Sequence, residues 1–231
     1  MSAIDRLCPA MNVLILYAHP EPTSFCGALK AVAVGTLREL GHTVTVSDLY
    51  AEGFNPVAGR HDFTTIADPH RFHYQTEQGH AAATGGFAAD IAREQQRFIE
   101  ADLVIAVFPL WWSGVPAIVK GWFDRVLAFG FAYRDGTRFD TGLFPAKRGL
   151  VCVTTGGTTE RFSETGVYGP IETILAPVNR SVFGYLGMTA LPPFVAYAAP
   201  RVSDAERAGY LARWAETLSR HVGGGSAAAG K

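Results

Sequence analysis

Trp111 and Trp112 stand side by side in "FPLWWSGVPAIVKGWFDRV" (108–126), between Pro109 and Pro116, where an apolar run ends. Adjacent aromatics on a loop cannot both point the same way, so at least one indole faces a crevice or a surface. There it can flank a flat ring while backbone N–H groups bond the ring's polar edge. Aromatic pairs more often fill a core or an interface, and two further stretches are needed before this pair points to a ligand. In "HPEPTSFCG" (19–27) the hydroxyls of Thr23 and Ser24 and the N–H groups of Phe25 and Cys26 sit at the start of a helix and can hold a phosphate or pyrophosphate. The same residues make an ordinary N-cap, and Glu21 beside them counts against an anion, so both readings stand. His19 stands where the preceding strand ends, facing the same crevice. "TTGG" (Thr154, Thr155, Gly156, Gly157) removes side chains where a planar ligand would approach the backbone, although alone it is a plain turn.

The elements around these stretches set where they go. "NVLILYA" (12–18) is a continuous apolar run and reads as a strand buried on both faces. Strands follow at 42–49, 102–110 and 148–157, and a weaker one at 189–197, where Pro192 and Pro193 remove ladder donors and suit an edge. Helices are expected at about 24–40, 87–100, 116–128, 170–185 and 203–221. The first can be capped by Thr23 and Ser24, and the last opens on the capping box Ser203-Asp204-Ala205-Glu206. Residues 50–85 read as irregular, and so long a structureless stretch is usually functional. Repeated strand–helix alternation implies a parallel sheet with helices on both faces. With no G-x-G-x-x-G after the first strand, the expected class is α/β: a flavodoxin-like, doubly wound, five-stranded parallel sheet of order 2-1-3-4-5. That order makes strands 1, 3 and 4 neighbours, so 19–27, 109–114 and 154–157 line one crevice at the switch point. Three such loops together point to a flavin, whose reduced ring carries negative charge that backbone donors can stabilise.

Size and composition are consistent with one domain. The chain has 231 residues, 48% hydrophobic and 18% charged, with formal net charge −1 and a pI near 6.7. That balance offers no reason to expect nucleic acid or an anionic membrane as partner. Cys8, Cys26 and Cys152 are few and widely spaced, which fits a reducing cytoplasm and neither a disulfide framework nor a zinc site. No run is long enough to insert in a membrane. Residues 1–10 read as a flexible leader, 11–222 as the flavin-binding domain and 223–231 as a flexible tail. In the last helix Arg207, Leu211, Trp214 and Leu218 recur at helical spacing, which places Arg207 on the apolar stripe. A cation there wants a carboxylate, a phosphate or a ring, or else it snorkels at the stripe's edge.

"LILYAHPEPTSF", "FPLWWSGVPAIVKGWFDRV", "GFAY" and "TTGG" together resemble the NAD(P)H:quinone oxidoreductase family of the DT-diaphorase type, from about residue 12 to 220. The resemblance implies a homodimer with FAD at the subunit interface, FMN being the alternative. NAD(P)H and quinone would use one pocket in turn, in a two-electron ping-pong scheme of hydride transfer, with azo or nitro compounds as further acceptors. It also implies that His19, Phe25 and Cys26 contact the FAD, with Leu110, Trp111, Trp112, Ser113 and the flanking Pro109, and with Thr154, Thr155, Gly156 and Gly157. Arg207 and Leu211 match late FAD contacts, and His73, in "DPHRFHY", takes the place of a glutamine that can touch FAD. Phe131, Ala132 and Tyr133 match the wall of the substrate pocket.

At two further positions the chain departs from the pattern of the family it resembles. The family's tyrosine and histidine, which relay charge to the flavin, are replaced here by Phe162 and Tyr168. Phe162 has no proton to give, and Tyr168 can hydrogen-bond flavin or substrate but cannot carry imidazolium charge. Tyr168 is thus either the remaining catalytic group or a wall of the pocket. Two other functions are open to the same fold: a regulatory partner of a membrane transporter, and a flavodoxin-type electron carrier. The near-neutral charge and the 50–85 insert count against the carrier, and the lack of a partner helix or basic arm against the regulator.

Overall fold

Alternation with a period of two splits each inner strand between two cores, and the sheet is built around that split. The computed structural model describes residues 9–223. Most of the expected leader and tail, and Cys8, therefore lie outside the described residues. β1 (Asn12–Tyr17), β2 (Thr43–Asp48), β3 (Leu103–Pro109) and β4 (Arg148–Thr154) are parallel and lie in the order β2-β1-β3-β4. Leu14, Leu16, Val104, Ala106, Phe108, Val151 and Val153 face one core. Val13, Ile15, Tyr17, Leu103, Ile105, Val107, Leu150 and Cys152 face the other. The first core is covered by α3 (Ala89–Glu100), α4 (Ala117–Val126) and α5 (Ile171–Val178), the second by α1 (Phe25–Glu39) and α6 (Asp204–Val222). Trp214 anchors α6 on α1 by donating its indole N–H to the Leu29 carbonyl at 3.0 Å.

The strand register decides where the loops emerge. Tyr17 pairs with Val107, and Pro109 with Thr154, so the carboxyl ends of β1, β3 and β4 finish close to level. The expected fifth strand is two pieces, β5 (Thr189–Ala190) and β6 (Phe194–Ala196), both paired with β4, which gives a six-stranded sheet among the described residues. Pro192 and Pro193 lack the N–H groups a continuous ladder would need, which is why the edge breaks between them. The expected helix at 170–185 is α5 continued as a π-helical turn over Asn179–Gly184. Pro177 inside α5 lacks its own helical donor, and the change of pitch follows directly after it.

The 50–85 stretch is not wholly irregular. It holds α2 (Tyr74–Thr84), which the apolar pattern does not reveal because the helix buries polar side chains. The Glu77 carboxylate accepts from the Ala67 N–H at 2.8 Å, and Gln78 donates to the Asp124 carbonyl at 3.2 Å. The rest of the excursion is pinned by charge. Asp62 is fully buried and Arg125, on α4, is 1% exposed. Arg125 Nε donates to Asp62 at 2.9 Å, and the guanidinium also bonds Asp90 at 3.0 Å and the Asn55 carbonyl at 2.5 Å. The Tyr74 hydroxyl donates to Asp62 at 2.5 Å, and burial, reinforced by that carboxylate, pushes the phenol far above its usual range. Removing one partner of a buried pair leaves the other uncompensated. Asp62→Ala should therefore cost about 3 kcal/mol of unfolding free energy in urea; a loss under about 1 kcal/mol would show that the network does not hold the excursion.

Candidate active site

Contacts join the three loops above the sheet. The Leu110 N–H donates to the Thr154 carbonyl at 2.8 Å. Cys26 Sγ lies 3.2 Å from Thr154 Oγ1. The His19 and Trp111 rings are 6.5 Å apart between centroids. His19, Cys26, Leu110, Trp111 and Thr154 thus come together from the ends of three neighbouring strands.

In the first loop, Ser24 caps α1 by accepting from the Gly27 N–H at 3.1 Å. Thr23 gives its N–H and its hydroxyl to Glu21 at 2.8 and 2.7 Å. Those bonds hold the exposed Glu21 carboxyl below its usual range. Both hydroxyls are therefore engaged within the chain, whereas the N–H groups of Phe25 and Cys26 have no protein acceptor among the described residues. The N-cap and the free donors coexist. His19 Nδ1 lies 3.0 Å from the Glu21 nitrogen and 3.1 Å from the Glu21 carbonyl oxygen, so the ring is held against the backbone of its own loop. Burial pushes the Cys26 thiol up to about 11 and the Cys152 thiol well above its ordinary value, so both act as apolar wall rather than nucleophile.

The second loop is a tight turn in which the Trp111 and Gly114 N–H groups donate to each other's carbonyls at 3.1 and 2.9 Å. Its central residues, Trp112 and Ser113, have φ of 49° and 55°. A turn with two left-handed residues favours Asn-Gly, and a tryptophan there costs on the order of 1–2 kcal/mol. Trp112 is 103% exposed, so the strain serves no packing within the chain. The Trp112 and Ser113 N–H groups have no acceptor among the described residues.

The third loop is braced from behind by residues 196–202, a strap the sequence reading missed. Ala199 N–H donates to the Thr155 carbonyl at 3.1 Å and Ala198 N–H to the Gly157 carbonyl at 2.8 Å, and an Arg201 guanidinium nitrogen donates to the Gly156 carbonyl. Ala198 holds φ of 50° to do this. Of the four non-glycine residues with positive φ among those described, Trp112, Ser113 and Ala198 lie at this site, and such strain is characteristic of functional positions. Phe162 is buried and its ring lies 5.0 Å from that of Tyr168, between centroids. A Cβ on Gly157 would come within 2.8 Å of Phe162 and 3.1 Å of Tyr168, so only glycine fits between the loop and those rings.

Other expected residues are placed unevenly. Tyr133 lines a cavity of about 680 Å³ with Phe108, Gly114, Phe123, Val178 and Tyr185, directly beside the second loop. Phe131 instead packs on Phe98 and Phe144, and Ala132 is buried, so neither forms the cavity wall. His73 caps α2, accepting from the Thr76 N–H at 3.3 Å, and no hydrogen bond or ring contact joins it to the three loops. Arg207 is half-buried and satisfied by the Val202 carbonyl and Asp204, both at 2.5 Å, so its partner is the strap and a carboxylate. Leu211 packs in the core cluster that includes Phe25. The sequence signal for the strap was slight: Pro200 and Arg201 immediately before a capping box.

The set of donors fits a flavin. Phe25, Cys26, Trp112, Ser113, Gly156, Gly157 and Thr158 offer backbone N–H groups with no protein acceptor among the described residues. Neutral donors on rigid loops suit carbonyl and ring-nitrogen acceptors and a pyrophosphate. A full-length comparison agrees. The flavodoxin-like fold family model matches residues 11–218. The chain is 46% identical over 208 residues to the Homo sapiens ribosyldihydronicotinamide dehydrogenase (quinone), covering 90% of each. It is 42% identical over 208 residues to the Rattus norvegicus NAD(P)H dehydrogenase (quinone) 1, covering 90% of this chain and 76% of that one. A Klebsiella pneumoniae structure assigned as a quinone reductase superposes with a TM-score of 0.88 at 39% identity, over 92% of this chain and 85% of the other. With its strand order, its three loops and these relatives in agreement, the chain belongs to the NAD(P)H:quinone oxidoreductase family of flavodoxin-like enzymes.

Proposed function

We propose that this enzyme binds FAD, with FMN as the alternative, and reduces quinones with a dihydronicotinamide donor in a ping-pong scheme. The observation that carries the reading is that three neighbouring loops each hold backbone N–H groups with no protein acceptor among the described residues. Bound there, the flavin supplies the two-electron relay between donor and acceptor. Phe25 and Cys26 N–H, at the α1 N-terminus, suit the pyrophosphate. Trp112 and Ser113 N–H suit one polar edge of the ring and Gly156, Gly157 and Thr158 N–H the other, where they favour the negative charge of reduction. His19, Pro109, Leu110, Trp111, Thr154 and Thr155 wall the crevice, and Arg207 and Leu211 support it through the strap and the core beneath the first loop. Tyr133 lines the space left for donor and quinone together with the apolar Phe108, Phe123 and Val178, and Tyr168 stands beside the third loop.

A homodimer is part of the proposal. The bare Trp112 indole, the exposed Val167 and Tyr168, and the open cavity between α4 and α5 suit a second subunit completing the site. His73, remote from the loops of its own chain by its contacts, would reach the flavin across that interface. A cytoplasmic location agrees with free thiols at Cys26 and Cys152; no helix among the described residues is long and apolar enough to cross a membrane.

The direct test is the absorption spectrum of the purified protein and its turnover with menadione. NADH, NADPH and N-ribosyldihydronicotinamide serve as donors, the last because of the human relative's name. A yellow protein that converts donor and quinone one for one is expected. A protein that stays colourless with excess FAD or FMN and consumes no donor would sink the proposal. Trp112→Ala should weaken flavin retention, measured as cofactor lost on gel filtration, while Tyr133→Ala should raise the quinone KM with flavin content unchanged. The opposite pattern would exchange the two residues' places. Tyr168→Phe should cost less than about tenfold in kcat/KM if the ring is a wall; a loss above about a hundredfold, ~2.7 kcal/mol of barrier, would instead assign its hydroxyl a proton or charge in the reaction.

A further inference from the structure

Among the described residues, Arg201 alone puts a cationic side chain in hydrogen bond with loop 154–157. Its guanidinium does not face the open side of that loop. It bonds the carbonyl of Gly156 from the strap side, and the carbonyls of Thr155 and Gly157 on either side are taken by the backbone N–H groups of Ala199 and Ala198. Every peptide bond in the described chain is trans, and in a trans peptide the N–H points opposite to the C=O. Three bonded carbonyls on the strap side therefore turn the N–H groups of Gly156, Gly157 and Thr158 to the other side, where none has a protein acceptor. The bond to Gly156 differs from its neighbours because its donor is charged. A cation on a carbonyl polarises the whole peptide group and makes its N–H a stronger donor.

We infer that Arg201 is a positioning residue for the proposed flavin: it orients the Gly156–Gly157 peptide and, through it, adds cationic character to the Gly157 N–H that meets the reduced ring. The inference rests on the flavin reading above. Phe162 carries no charge and Tyr168 no imidazolium, so neither can balance charge arriving on the ring, whereas Arg201 brings a guanidinium. Its effect grows with the negative charge on the ligand, so it favours the reduced over the oxidised flavin rather than tightening both alike.

The test compares the flavin-loaded wild type with Arg201→Met, Arg201→Lys and Arg213→Met, the last removing an exposed cation of α6 that stacks on Tyr210 outside the site. The readouts are the affinity for oxidised flavin and the two-electron reduction potential of the bound flavin. Arg201 is exposed, so all variants should fold with an unchanged Tm. In Arg201→Met the preference for reduced over oxidised flavin should fall about tenfold, a potential about 30 mV more negative for a two-electron couple. Arg201→Lys should recover most of the difference, and Arg213→Met should match the wild type. An Arg201→Met protein with wild-type potential, or an equal shift in Arg213→Met, overturns the role of Arg201 while the flavin reading stands. A wild type that binds neither FAD nor FMN overturns both.

Discussion

The carbonyls of Thr155, Gly156 and Gly157 are all bonded from one side by the strap at 196–202, and the direction of the Gly156, Gly157 and Thr158 N–H groups follows from that. A glycine-rich loop left to itself would spread over many conformations, and its amides would be solvated in all of them. Tying each carbonyl fixes the opposite face of each peptide, so donors that would have to be ordered at the moment of reaction are ordered beforehand. The strap is itself held by Arg207 at the start of α6 and by the left-handed Ala198. Local strain and a satisfied cation are thus spent on orienting backbone dipoles.

The sheet makes that arrangement useful. Parallel order places the ends of β1, β3 and β4 side by side, and the register makes them level, so the loops after each strand share one rim. Each loop offers backbone donors by a different device: a helix N-terminus after Ser24, a left-handed two-residue turn at Trp112 and Ser113, and the braced glycines at 156 and 157. All three devices present backbone N–H groups, and only the third also carries a charged side chain, Arg201, on one of its carbonyls. Phe108, Phe123 and Val178 line the cavity beside the second loop.

Distant polar burial supports the same rim. Arg125 on α4 bonds Asp62, Asp90 and the Asn55 carbonyl, and so docks the excursion between β2 and α3 onto the helix that begins just after the tryptophan turn. Glu94 on α3, also buried, accepts from the Trp122 indole N–H at 2.8 Å and from the Ser47 hydroxyl at 2.7 Å. These bonds join α3, α4 and β2 with a directionality that aliphatic packing lacks.

Much of this was legible in the residues. The apolar runs at 12–18, 102–110 and 148–157 read as inner strands, the last ending at Thr154 in the structure, and the strand–helix alternation reads as a doubly wound sheet. The caps at Ser24 and at Ser203 with Glu206 mark where α1 and α6 begin. All of these are encoded among near neighbours, as periodicity or as a hydrogen bond spanning three residues. That the loops at 19–27, 109–114 and 154–157 would be neighbours was legible for the same reason. Tertiary structure alone decided the rest. The α2 helix buries Glu77 and Gln78 against backbone groups that no sequence pattern brings near them. Phe131 turned to the core and Tyr133 to the cavity, although the two flank the same buried alanine. Arg125 met Asp62 across 63 residues, and Arg201 met Gly156 across 45. A long-range polar contact is chosen by where whole elements dock, and docking is a property of the packed sheet and helices together rather than of any stretch of chain.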